Sequence, residues 1–196
     1  MYLGGIAPKL NGWEGVVPPH LIRKKIMKNL EIIGLDESKV NKVKDALAQL
    51  LADYQIYYTN LRNLHWNVKG HKFFTMHSKY EELYNEAAAH VDEIAERILQ
   101  LGAHPESRYS EYLKVATIKE IDGVVGGRES IELLLEYFKN LISQERALID
   151  LAGDAHDDVT ADLMTGYLAS QEKNVWMLLA YAQHKHHDDS CCCETK

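Results

Sequence analysis

Proline occurs only as Pro8, Pro18, Pro19 and Pro105 in a chain of 196 residues. Residues 20–104 and 106–196 contain none. Because a proline inside a helix costs about 3 kcal/mol or more, two long proline-free blocks are what uninterrupted helices require. Only three phenylalanines accompany abundant Leu, Ala, Glu and Lys, which favours helix over strand and disfavours all-β and βαβ folds. The hydrophobic fraction, 46%, and the charged fraction, 26%, are ordinary for a globular protein, so the chain is not disordered throughout. Its length suits one domain with a core large enough to fold unaided.

Residues 1–35 read as an N-terminal arm, Gly- and Pro-rich up to residue 19 and then a short basic amphipathic helix over residues 20–33, ended by Gly34. A long helix follows, capped by Asp36 or Ser38. It carries Val40, Val43, Leu47, Leu50, Leu51, Tyr54, Tyr58, Leu61 and Leu64 at helical spacing and stops before Gly70. A second long helix starts near Thr75. Its apolar positions are Met76, Tyr80, Leu83, Tyr84, Ala87, Ala88, Val91, Ile94, Ala95, Ile98 and Leu101, and Gly102 and Pro105 end it. A third runs from about Arg128 to Leu151, closed by Gly153. A fourth begins near Asp157 or Asp158 and buries Leu163, Tyr167, Leu168, Val175, Leu178 and Leu179. Short links pair the first helix with the second and the third with the fourth. The link over residues 102–128 is long enough to cross the bundle and holds a short helix at 109–115. The expected fold is therefore all-α. Residues 36–183 form a four-helix bundle with one long crossover connection, the ferritin-like arrangement. Residues 184–196 form a flexible His- and Cys-containing tail.

The second long helix carries His77, Glu81, Asp92 and Glu96. At ~100° per residue all four share one stripe, yet Glu81 and Asp92 are separated by roughly 16 Å along the axis. One metal centre with bonds near ~2 Å cannot take both pairs from one helix. Either the chain has two half-sites, or the stripe meets its own symmetry mate. Two antiparallel copies related by a two-fold axis set His77 and Glu81 of one against Asp92 and Glu96 of the other. His65, near the end of the first long helix, can add another imidazole. Two imidazoles and three carboxylates without cysteine suit Fe(II), Mn(II) or Zn(II). The plainer reading is a solvated charged face, against which the repulsion between Asp92 and Glu96 argues. A di-metal enzyme acting on an organic substrate would need its ligands inside one bundle, and the spacing disfavours it.

The stretch NLHWNVKGHKFFTMHSKYEELYNEAAAHVDEIAERILQLG resembles the signature of the Dps family, the DNA-protection-during-starvation proteins or miniferritins. The motifs are HW-N-x-x-G, H-x-x-x-[DE] and D-x-x-x-E-R, and the generic ferritin E-x-x-H pattern is missing. The resemblance implies a hollow homo-dodecamer with ferroxidase centres at two-fold interfaces. His65, His77 and Glu81 would come from one chain, and Asp92 and Glu96 from its partner. The family commonly has Asp where Glu81 stands. By the same resemblance the protein is a ferroxidase that oxidises Fe(II), usually with hydrogen peroxide. It would store ferric oxide in the cavity and so protect DNA from oxidative damage. Trp66 corresponds to a tryptophan that packs near the site and gives an electron to oxidants, a core aromatic being the alternative. Asp157, Asp158 and Asp162 match the acidic start of the fourth helix that lines three-fold entry pores. Helix capping explains Asp157 or Asp158 equally well, and Asp162 is favoured for the pore because three copies around an axis would attract Fe(II). Glu82 and Glu86 either face the cavity or lie on exposed surface.

A net charge of −7 disfavours nucleic-acid binding by the body of the chain, while it concentrates cations. The arm, with Arg23, Lys24, Lys25 and Lys28, is where DNA binding would reside, and a chiefly DNA-compacting protein is the alternative function. His71, His90, His104 and His156 read as surface or packing residues. Cys191, Cys192 and Cys193 draw no disulfide framework, and the N-terminus shows no secretory pattern, so a reducing, cytoplasmic location is expected. No apolar run approaches the ~20 residues that span a bilayer, and no membrane partner is expected.

Overall fold

The computed structural model of the chain describes residues 29–70, 72–123 and 127–183. Within them are six helices: α1 (Asn29–Ile33), α2 (Glu37–Asn67), α3 (Phe73–Gln100), α4 (Tyr109–Val115), α5 (Gly127–Ala155) and α6 (Asp158–Ala182). The basic cluster at residues 23–28, His71 and the tail from residue 184 lie outside the described residues. So do residues 20–28 of the stretch expected to form the arm helix; α1 covers residues 29–33 of it.

The caps explain where the long helices begin and end. Asp36 caps α2 by accepting from the Ser38 amide at 2.8 Å. Gly102, at φ 80°, takes the left-handed conformation that lets the Ala103 amide donate back to the Ile98 carbonyl at 3.1 Å, closing α3. The third long helix departs from expectation. It passes through Gly153 and runs to Ala155. The reversal into α6 is made by His156, a non-glycine residue at φ 56°, while the Asp157 amide donates to Ala152 at 2.8 Å. Helix α3 begins at Phe73, slightly before the expected Thr75.

Side-chain pairings fix the topology. Tyr54 meets Glu145, and Asn60 meets Tyr137, so α2 and α5 are antiparallel. Arg97 meets Thr160, and Glu93 meets Tyr167, so α3 and α6 are antiparallel. The crossover therefore travels the length of the bundle, along α2. Buried Asp53 pins it by accepting from the amides of Thr117 and Ile118, both at 2.7 Å, and from the Thr117 hydroxyl at 2.9 Å. Farther along, Asn60 donates to the Lys119 carbonyl at 2.8 Å and accepts from the Ile121 amide at 3.1 Å. These two polar side chains replace the hydrogen bonds that the irregular crossover backbone cannot make to itself.

The core sits between the four long helices, on the expected stripes. Two expected apolar positions face outward instead, Ala88 on α3 and Leu179 on α6. The core also holds a polar cluster. Glu145 is fully buried and accepts from the Tyr54 hydroxyl at 2.8 Å and the Gln171 amide at 2.6 Å. His90 stacks on Tyr167 with centroids 3.7 Å apart, and its Nδ1 is 3.2 Å from the Tyr54 hydroxyl. Burial, opposed by the hydrogen bonds from Tyr54 and Gln171, pushes the Glu145 carboxyl up to about 7. Burial lowers the His90 imidazole from its usual range.

Candidate metal centre

The last turn of α2 and the first turns of α3 bring His65 and His77 together. The connection at residues 68–72 is short, and Gly70, at φ 96°, makes the turn. The two imidazoles stack at 3.7 Å between centroids with their planes 21° apart. Each Nδ1 lies 2.9 Å from the other residue's backbone carbonyl oxygen. A carbonyl only accepts, so each Nδ1 carries the proton. That tautomer leaves both Nε2 atoms with a free lone pair, the state in which histidine ligates a metal. Phe73 stacks on His77 at 4.9 Å, and Tyr84 meets His65 edge-on at 5.3 Å, so both rings are held in orientation.

Glu81 follows one turn after His77. It is exposed, with the Tyr84 hydroxyl donating to it at 3.4 Å. Asp92 and Glu96 lie on the same unbroken helix and are also exposed. Asp92 stays roughly 16 Å from Glu81 along the axis, and Glu96 lies farther still, as an ideal helix demands. Among the described residues, no three His, Cys, Asp or Glu side chains of the single chain come close enough to hold a metal ion. The structure thus brings His65, His77 and Glu81 to one end of the α3 face and leaves Asp92 and Glu96 on its other half.

Trp66 is 64% exposed, which removes the core-aromatic alternative. The Arg62 guanidinium sits 4.7 Å over its ring. Asp157 is not free to line a pore. It is buried, caps α6 by accepting from the Thr160 amide at 3.1 Å, and pairs with Arg97 at 2.5 Å. Asp158 and Asp162 are exposed on the first turns of α6. Glu82 is exposed and paired with Lys79 at 2.7 Å, and half-buried Glu86 accepts a hydrogen bond from Ser170. Sequence reasoning missed Arg97, although it follows Glu96 directly in the D-x-x-x-E-R motif. It also missed Glu145, whose signal was a charged residue between Leu141 and Leu148 on a buried stripe.

The pattern that defines the ferritin-like domain matches residues 44–185. A DNA protection during starvation protein of Porphyromonas gingivalis is 50% identical over 155 residues, covering 79% of this chain and 98% of that protein. The crystal structure of a Dps protein from Vibrio cholerae O1, a member of a broad superfamily of ferritin-like diiron-carboxylate proteins, superposes with a TM-score of 0.75. It is 45% identical, covering 78% of this chain and 96% of that one. Dps from Staphylococcus aureus superposes with a TM-score of 0.71 at 39% identity, covering 74% and 97%. Fold and sequence together define a ferritin-like helical bundle. Within that class, the chain belongs to the Dps family. No helix among the described residues is long and apolar enough to cross a membrane.

Proposed function

We propose that this protein is a cytoplasmic ferroxidase and iron store, in which two chains share each Fe(II)-oxidising centre. His65, His77 and Glu81 of one chain bind ferrous iron together with Asp92 and Glu96 supplied by a partner chain. The observation that carries this reading is the reciprocal hold between His65 and His77, which engages both Nδ1 atoms and leaves both Nε2 atoms for a metal, with the exposed Glu81 one helical turn after His77. Two neutral imidazoles with hard carboxylates suit Fe(II), and the absence of thiolate disfavours softer ions.

The oxidant is hydrogen peroxide. Two ferrous ions lose one electron each, the O–O bond breaks, and two hydroxides result. Hydrolysis of the ferric ions then releases protons and builds ferric oxide. Pairing the two electrons in one peroxide avoids the one-electron cleavage that makes hydroxyl radical, which is how such a centre protects DNA. This agrees with the name of the P. gingivalis relative. Exposed Trp66, one residue after a ligand, supplies one electron to a one-electron oxidant, reducing hydroxyl radical to hydroxide while its indole becomes a radical. Twelve chains close into a hollow shell whose acidic charge draws in cations, with Asp162 lining the three-fold entrances. Residues 36–183 are the shell-forming unit, and residues 1–35 and 184–196 are additions to it.

Fe(II) oxidation by peroxide tests the assignment. A His77→Ala, Asp92→Ala double variant is expected to oxidise iron at the rate of the protein-free reaction. A rate equal to wild type would overturn the ligand set. Solution mass should correspond to about twelve subunits, as closed point-group symmetry allows.

A further inference from the structure

We propose that Phe74 and Leu99 form an apolar clasp between two copies of this chain, each Phe74 seated on the partner's Leu99. Two such clasps close the outer ends of the paired α3 faces. The register rests on the proposed shared centre, but the apolar pair itself was not used to choose it.

At ~100° per residue, Phe74, Glu81, Asp92 and Leu99 fall within about 10° of one line along α3. Asn85 and Ala88 lie within about 30° of that line, and His77 and Glu96 about 50° to either side. All of these residues are exposed except His77, which is half-buried. This is one continuous face of a helix that has no bend-forming proline.

Opposing His77 to Glu96 and Glu81 to Asp92 puts the two-fold axis level with the bond between Glu86 and Ala87. The same axis then pairs Asn85 with Ala88 and Phe74 with Leu99. These last two are the large apolar side chains that α3 exposes to solvent, at 82% and 48%. A single exposed apolar residue needs no explanation. Two that meet under a register chosen from polar groups alone do.

The centre of the face is consistent with close approach. Ala88, the outward alanine within the expected apolar set, offers almost no side chain where the helices cross nearest, at an interaxial distance of about 8–10 Å. Each half-site is then bounded on the inner side by Asn85 and the partner's Ala88. On the outer side it is bounded by Phe74 and the partner's Leu99, one turn beyond His77. The clasp excludes water from the end of the centre that the Asn85–Ala88 contact leaves open.

The test is site-specific cross-linking of the full chain with Cys191, Cys192 and Cys193 replaced by Ser. A Phe74→Cys, Leu99→Cys variant treated with a short bis-maleimide should give covalent dimers on a denaturing gel. Each single variant should stay monomeric, because like positions lie roughly 38 Å apart along the paired helices. A double variant that stays monomeric, or single variants that cross-link equally well, would overturn the clasp. Fe(II) oxidation by the parent chain, in which only Cys191, Cys192 and Cys193 are replaced and Phe74 and Leu99 are intact, separates the two claims. Efficient cross-linking without ferroxidase activity leaves the clasp standing and removes the proposed function. Activity without cross-linking does the reverse.

Discussion

His65 and His77 hold one another. Each ring Nδ1 is 2.9 Å from the other's backbone carbonyl, and the rings stack at 3.7 Å. Their separation of twelve residues in sequence becomes direct contact because the turn at Gly70 folds α3 back on α2. The arrangement selects one tautomer in both residues without any charged partner. It orients the lone pairs before metal arrives, as outer hydrogen bonds do in established metal sites.

Glu81 tests how closely the ligand geometry is set. Glu81→Gln keeps the shape and removes the charge, so peroxide-driven Fe(II) oxidation should fall at least about tenfold, the loss that even outer partners of a metal site cost. Glu81→Asp restores the family's commoner residue and should stay within a few-fold of wild type. Stopped-flow absorbance of ferric product measures both.

Arg97 and Asp157 form a buried ion pair, and Asp157 also caps α6. Arg97→Met leaves the carboxylate buried without its countercharge and should destabilise the protein by about 3–5 kcal/mol. Arg97→Met with Asp157→Ala should recover part of that loss, since no lone charge remains. Urea unfolding at fixed protein concentration reads the difference.

Glu145 predicts a pH dependence. Burial raises its carboxyl from the ordinary range to about 7, so the folded state holds a proton that the unfolded state has lost. Its contribution is fully present below the unfolded value and disappears as pH rises towards about 7. Glu145→Gln keeps an acceptor for Tyr54 and Gln171, and the new amide nitrogen faces the side of Glu145 Oε2, which has no partner among the described residues. The variant should match wild type near pH 5 and exceed it near pH 8 by about 2–3 kcal/mol, at ~1.4 kcal/mol per pH unit. Thermal melts at the two pH values give the sign.

Asp53→Ala should free the crossover. Two backbone amides, Thr117 and Ile118, lose their shared acceptor, at about 1–3 kcal/mol for each buried group left unmade. Hydrogen exchange at those two amides should accelerate ahead of exchange in α2.

The long helices were legible because apolar residues recur at helical spacing over many turns, and the crossover because Gly102 and Pro105 interrupt that spacing. The expected end at Gly153 failed for a local reason. An isolated glycine in a helix costs only about 1 kcal/mol, and the turn conformation is carried by His156. The ligand stripe was readable because helix geometry alone separates its two halves. Asp53, Asn60 and Glu145 were not readable as structural residues. Asp53 and Asn60 hold backbone groups of a crossover without periodicity, and Glu145 holds the Tyr54 hydroxyl on another helix, all more than fifty positions away. The capping role of Asp157 was readable from its place at the helix start, but its ion pair was not, because Arg97 sits on a different helix.

The shared centre is tested most directly by complementation between subunits. Chains carrying only His77→Ala and chains carrying only Asp92→Ala should each assemble without ferroxidase activity. Co-expressed in equal amounts, they form mixed two-fold pairs in which one of the two centres has every ligand. With random pairing, about a quarter of all centres are then intact, and peroxide-driven Fe(II) oxidation should return to about that fraction of wild type. Mixed assemblies as inactive as either parent would contradict a centre built from two chains.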